Sequence, residues 1–272
     1  MKVMLILFIS LLVLYLLLVA PRMINRADRT PFMKQILYAH RGLFDNESDA
    51  PENSLAAFQK AVDAGYGMEL DVQLSKDDKL VVFHDATLKR MCDVEGNVWD
   101  YTLDELKQLK LLNSNETIPT LQEVLSLVAG QAPLIVEYKL DRPLTKICEL
   151  GNELLSRYKG TYCIESFHPF ALMWYRKHRP DVMRGQLSGN LSKETTDPKK
   201  KCYYALVTYL LTNVFSRPDF IAYDHRYVNN ISRKVCKWLG TLSVTYTIKS
   251  VDRYQEVKND FDLFIFDSCI LK

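Results

Sequence analysis

The chain lacks most of the signals that identify a function at a glance. None of its six cysteines (Cys92, Cys148, Cys163, Cys202, Cys236 and Cys269) stands in a Cys-x-x-Cys pair. That removes the zinc-ribbon and dithiol-redox spacings. At 272 residues the chain is too long to need a disulfide framework, so the thiols read as buried and free, in a reducing compartment. No Gly-x-Gly-x-x-Gly turn follows an apolar run, which argues against a doubly wound dinucleotide-binding sheet. An excess of charge of one sign is also lacking, with 35 Lys and Arg against 33 Asp and Glu. The net charge is +2, without a basic stripe, and makes no case for a nucleic-acid partner.

Long apolar runs are absent except for one. Val3 to Ala20 is uncharged and interrupted only by Ser10 and Tyr15. As a helix it spans about 27 Å, close to the hydrocarbon thickness of a bilayer. It reads as a single uncleaved transmembrane anchor over residues 1–21. A cleaved signal peptide is the competing reading and fits less well, because Pro21 follows Ala20 directly and no small-x-small pattern precedes it. Only Lys2 and the terminal amine lie before the run, whereas Arg22, Arg26, Arg29 and Lys34 follow it. The excess of positive charge after the run places the remainder on the cytoplasmic side. Residues 22–35 form a basic linker, and 36–272 the main domain.

From Ile36 onward, short runs of Val, Ile, Leu and Tyr alternate with longer stretches of helical period. Strands are expected near 36–40, 66–72, 80–83, 133–138, 162–166, 182–187, 219–223, 241–247 and 262–266. Helices are expected near 53–64, 120–129, 143–158, 169–178, 200–214, 229–237 and 251–258. With 66–72 and 80–83 merged into one bent hairpin, the pattern is an α/β fold, a (β/α)8 TIM-type barrel preceded by the N-terminal transmembrane helix. Residues 86–119 break the rhythm as a small insertion after the second strand. Within it Thr102-x-x-Glu105 is a capping box opening a helix from Leu103 to Leu109. The last strand ends close to Lys272, so an eighth helix is missing and the linker before Ile36 is expected to cover that side. Tyr203 to Phe215, apolar and aromatic, reads as a barrel helix or as an amphipathic contact with a bilayer surface.

Polar residues collect where apolar runs end: His40-Arg41 after Ile36–Ala39, Glu69-Leu70-Asp71 after Tyr66–Met68, His84-Asp85 after Leu80–Phe83, and Glu137-Tyr138-Lys139 after Leu134–Val136. In a parallel barrel these ends converge on the face that carries chemistry. Glu69 and Asp71, two apart on a strand, point the same way. With Glu137 they offer three oxygens to one hard cation, Mg²⁺ or Ca²⁺. The ordinary alternative is a set of strand-end acids matched to Lys or Arg. His40 and His84 are of the residue type whose ordinary pKa, near neutrality, suits moving protons. Arg41 and Lys139 carry charge suited to phosphate oxygens. The set suits metal-assisted attack on a phosphate ester.

In order and spacing, His40-Arg41-Gly42, Pro51-Glu52-Asn53-Ser54, Glu69-Leu70-Asp71-Val72, His84-Asp85 and Glu137-Tyr138-Lys139 resemble the signature of the glycerophosphodiester phosphodiesterase family. The resemblance implies a TIM-type barrel with a small insertion at 86–119. It implies a divalent metal on Glu69, Asp71 and Glu137, with His40 and His84 as the acid/base pair. Arg41 and Lys139 become the phosphate contacts, and Glu52 and Asn53 support the site from the first loop. It further implies cleavage of glycerophosphodiesters, such as glycerophosphocholine or glycerophosphoethanolamine, to glycerol 3-phosphate and an alcohol. Glu165-Ser166-Phe167-His168, Thr245–Lys249 and Phe266–Cys269 resemble the family more weakly and leave the headgroup open, as the oligomeric state is left open. A lysophospholipase D-type cleavage at the membrane and a non-catalytic phosphodiester-binding membrane domain are the alternative functions.

Overall fold

The computed structural model describes residues 1–140 and 145–271. Its strands are β1 (Leu37–Ala39), β2 (Gly67–Leu74), β3 (Leu80–Val82), β4 (Leu134–Tyr138), β5 (Tyr162–Ser166), β6 (Arg184–Ser188), β7 (Phe220–Asp224), β8 (Leu242–Ile248) and β9 (Leu263–Phe266). They run β1-β9-β8-β7-β6-β5-β4-β2-β3 around one sheet, and β1 also pairs with β2. That last pairing closes a barrel of parallel strands, with β3 attached outside it as the antiparallel partner of β2. The expected TIM-type fold is therefore present, and β2–β3 is the bent hairpin expected from the sequence.

Alternation along each strand sorts the chain into two apolar layers. On β2, Met68, Leu70 and Val72 join the outer cluster beneath the helices. Glu69, Asp71 and Gln73 point the other way and are buried in the barrel. Deeper in the interior, Tyr38, Ile135, Cys163, Phe220, Leu242 and Ile265 form the inner cluster. Gly185 is dictated by that cluster, since a Cβ there would lie 2.0 Å from the Phe220 ring.

Several boundaries shift from the sequence reading. The expected helix 200–214 is two helices, Pro198–Thr208 and Asn213–Ser216, because the chain turns between them with Leu210 at φ 56°. The capping box at Thr102 and Glu105 forms, but its helix ends at Leu106 rather than Leu109. The helix expected over 143–158 is observed as Lys146–Leu155; residues 143 and 144 of that expectation lie outside the described residues. Between Ala86 and Pro119 the chain builds a satellite core of Leu88, Met91, Val98, Leu106, Leu111 and Ile118 on Val81 and Phe83.

The linker does not cover the flank it was expected to cover. Phe32, in the short helix Thr30–Met33, is 3% exposed and joins the cluster inside the barrel. The flank beside β9 is closed instead by Leu271 and Tyr66. The Tyr66 hydroxyl donates to Leu271 O at 2.6 Å, and its ring meets Phe266 edge-on at 5.0 Å. An aromatic ring fills the barrel's interior better than a basic segment covers its apolar outside.

The apolar run is a helix, Lys2–Val19, long and apolar enough to cross a membrane. Residues 1–14 are exposed and Val19 is fully buried against the barrel's helices.

Candidate active site

The register of adjacent strands assembles the site. Asp71 is paired with Glu137 across β2 and β4, and Glu137 with Glu165 across β4 and β5. Oxygens of Glu69, Asp71 and Glu137 all lie within 4.8 Å of one another, and all three residues are buried. Burial raises the pKa of Glu69 well above the carboxylate range, with Asp71 and Glu137 adding repulsion. Glu137 is raised by the same burial. Burial also works against the charge on Asp71, but Lys139, His84, Arg41 and His40 outweigh it and hold Asp71 ionised. Three crowded oxygen donors of this kind fit a hard divalent cation, which supplies the charge that their mutual repulsion lacks.

The backbone at the first strand end is shaped for contact with this cluster. Arg41 has φ 56°, and its amide donates to Glu69 Oε2 at 3.1 Å. Gly42 follows at φ 81°, where a Cβ would stand 2.8 Å from the Ala57 backbone. No other residue fits that turn without displacing the helix Leu55–Asp63. Asn53, at φ 58°, donates from Nδ2 to Asp71 Oδ2 at 2.9 Å.

Each histidine rests on a carboxylate. His40 Nδ1 lies 2.9 Å from Asp267 Oδ2, and its Nε2 is 3.9 Å from Glu69 Oε2. His84 Nδ1 lies 2.7 Å from Asp85 Oδ1. A carboxylate at Nδ1 fixes the proton there and leaves Nε2 to exchange a proton with a substrate. Burial pushes the His40 pKa down, opposed by the Asp267 hydrogen bond.

The cations are held inside the site by carboxylates. Lys139 Nζ is 2.9 Å from Asp71 and 2.7 Å from Glu137. Burial opposes its charge, but these two partners raise its pKa overall. Arg41 Nη1 is 2.6 Å from Glu52 Oε1, and its Nε is 3.4 Å from Asp71 Oδ2. Glu52 also accepts from Arg90 Nη2 at 2.7 Å, and Arg90 Nε reaches Asp85 Oδ2 at 2.6 Å. One chain of contacts therefore runs from Arg41 through Glu52, Arg90 and Asp85 to His84.

All nine residues singled out in the sequence thus fall in one connected cluster. Four further participants were missed there. Asp267 and Glu165 end the runs Leu263–Phe266 and Tyr162–Ile164, and the strand-end rule already applied elsewhere would have found both. Glu165 is 1% exposed, and burial beside Glu137 raises its pKa well above the carboxylate range. Gln73 donates from Nε2 to Phe83 O and Asp85 O at 2.8 and 2.7 Å, bracing the backbone on either side of His84. Arg90 comes from the insertion and carries no sequence signal of its own.

Residues 40–231 match the model of the glycerophosphoryl diester phosphodiesterase family. A glycerophosphodiester phosphodiesterase of Caldanaerobacter subterraneus is 35% identical over 167 residues, covering 57% of this chain and 67% of that protein. A lysophospholipase D of Rattus norvegicus is 31% identical over 158 residues, covering 53% of this chain and 48% of its own length. Among solved structures, an Oleispira antarctica phosphodiesterase in complex with the product sn-glycerol-3-phosphate is similar at TM-score 0.68 and 25% identity, over 86% of this chain and 92% of that one. The glycerophosphodiester phosphodiesterase of Thermotoga maritima is similar at TM-score 0.66 and 25% identity, over 86% and 95%. A match across most of the barrel, starting at His40 and taking in the carboxylate cluster, makes this chain an enzyme of the glycerophosphoryl diester phosphodiesterase family.

Proposed function

We propose that the chain hydrolyses glycerophosphodiesters to glycerol 3-phosphate and an alcohol, with one divalent cation, Mg²⁺ or Ca²⁺, on Glu69, Asp71 and Glu137. The observation that supports this best is the joining of that carboxylate cluster to two histidines, each with Nδ1 on its own carboxylate. The cation, when bound, withdraws charge from a phosphoryl oxygen. One imidazole takes the proton of the attacking hydroxyl at Nε2, and the other gives a proton to the leaving alkoxide. Lys139 and Arg41 keep the cluster near neutrality and present positive charge to the phosphate. Glu52 holds the Arg41 guanidinium, and Asn53 holds Asp71. The expected result is release of glycerol 3-phosphate from glycerophosphocholine, lost in His40→Ala and His84→Ala. Unchanged turnover in both variants would remove the histidines from the mechanism.

A groove supports a second substrate. A cavity of about 240 Å³ opens beside Glu137 and Lys139 and is walled by Leu140, Phe167, Leu191 and Tyr203. Such walls suit a hydrocarbon chain, and the Lys2–Val19 helix is proposed to anchor the enzyme to a membrane where lysophospholipids reside. Release of lysophosphatidate from lysophosphatidylcholine separates this reading from the first.

A further inference from the structure

The N-terminal helix is fastened to the barrel in a defined direction. Its last carbonyls, which a helix end leaves without partners, are taken by barrel side chains. Asn213 Nδ2 donates to Val19 O at 2.8 Å, and Arg217 Nη1 donates to Leu17 O at 3.0 Å and Ala20 O at 2.7 Å. Cys236 Sγ reaches Val19 O at 3.3 Å, while Tyr15 Oη meets Ser232 Oγ at 2.9 Å. Ser232 and Cys236 are one turn apart on the helix Ile231–Trp238, as Tyr15 and Val19 are on theirs. The two helices therefore run parallel, Tyr15 beside Ser232 and Val19 beside Cys236. Ile231 follows the C-terminal end of β7, the catalytic end, so the Ser232 end lies nearer the mouth. Continued from Tyr15 back to Lys2, the apolar helix leaves the protein past the mouth of the barrel.

Its free length sets where the mouth sits. Residues 2–14 span about 20 Å as a helix, about 10 Å less than a hydrocarbon core. The exposed rim on that side is apolar: Leu206 is 41%, Tyr209 48% and Ile231 63% exposed. Thr208 O accepts from Tyr223 Oη at 2.8 Å and from Asn230 Nδ2 at 3.3 Å, which fixes residues 206–209 at the catalytic end of β7.

We infer that the catalytic mouth faces the lipid bilayer, with the rim around Leu206, Tyr209 and Ile231 seated in its interfacial zone. This rests on the proposed membrane anchor. Amphipathic surfaces with Leu, Ile and Tyr bind at that depth. Substrate then enters from the membrane side, and the groove beside Glu137 opens toward lipid. Met23, Ile24 and Trp238 form the competing surface; they are 49%, 78% and 78% exposed, near the opposite end of the barrel. They would meet the bilayer if the helix detached from its dock.

The test uses the full chain with Cys92 and Cys269 replaced by Ala, in phosphatidylcholine vesicles carrying nitroxide headgroups. An environment-sensitive fluorophore is placed on Cys202, the exposed native thiol of the helix Pro198–Thr208. A second protein carries it on Trp238→Cys in a Cys202→Ser background. The expected result is a blue shift and loss of fluorescence at 202, with neither at 238. Quenching at 238 equal to or greater than that at 202, or none at either in vesicle-bound protein, overturns the inference. Co-sedimentation with vesicles reads the anchor by itself, and glycerophosphocholine turnover reads the catalytic proposal by itself.

Discussion

Asp267 Oδ2 sits 2.9 Å from His40 Nδ1, joining the last strand end of the barrel to the first. Burial opposes the charge on Asp267, but the His40 contact outweighs it and the pKa is lowered. Asp267 thereby holds the imidazole in one orientation and one tautomer. Asp267→Asn replaces an acceptor by an amide that accepts the wrong tautomer as readily. The expected outcome is a fall in kcat on the order of 10²-fold, a typical size for general acid–base assistance, with KM for glycerophosphocholine little changed. A fall confined to KM would assign Asp267 to substrate binding instead.

Metal binding is expected to stabilise the fold, because it relieves repulsion among three buried carboxylates. At 100 times the dissociation constant the gain is about 2.7 kcal/mol. Thermal melting of metal-stripped protein against Mg²⁺ or Ca²⁺ checks this. Glu69→Gln should raise the metal-free Tm, by replacing a carboxyl whose ionisation burial, Asp71 and Glu137 all disfavour, and flatten its dependence on metal. A variant that responds to metal as the parent does would exclude Glu69 as a ligand.

Glu52 gives a pH signature. Burial pushes its pKa up, but Arg90, Arg41 and Asn46 more than offset this and hold it at about 2. A depressed carboxylate stabilises the fold fully above its unfolded value, and that stability is lost as pH falls toward the folded value. The window is pH 4.5 down to about 2. The upper bound is about 3 kcal/mol, trimmed because Arg90 is 44% exposed and partly screened. Denaturant unfolding at pH 7 and pH 3 should show part of this loss in the parent. Glu52→Gln should be destabilised at pH 7 and lose less on acidification.

Phe32→Ala empties a position inside the barrel and is expected to cost about 3–5 kcal/mol. Urea unfolding of the full chain measures it. A cost under about 1 kcal/mol, the size of a change away from the core, would mean that the linker does not hold the barrel closed.

The site was legible in the sequence because one rule generates it: a polar residue at the C-terminal end of a buried strand faces the common mouth. The same rule applies to Asp267 and Glu165, but neither stands beside a second charged residue, and both enter only within the weaker resemblances of Glu165–His168 and Phe266–Cys269, without a site role. What could not be read was contact between distant, aperiodic segments. Phe32 lies in a basic stretch without period, and only the closed barrel gives it a place to go. Arg90 reaches Glu52 because the insertion folds over the first loop, a relation that no spacing encodes. The break at Leu210 was hidden because Tyr203–Phe215 stays apolar through the turn.

The most direct measurement of the central claim is glycerol 3-phosphate release from glycerophosphocholine and glycerophosphoethanolamine by metal-stripped protein, with and without Mg²⁺ or Ca²⁺, beside Glu69→Ala. Release that requires the added cation and disappears in the variant is the predicted result. Equal release without metal, or full activity in Glu69→Ala, would contradict the assignment of Glu69, Asp71 and Glu137 as the metal site.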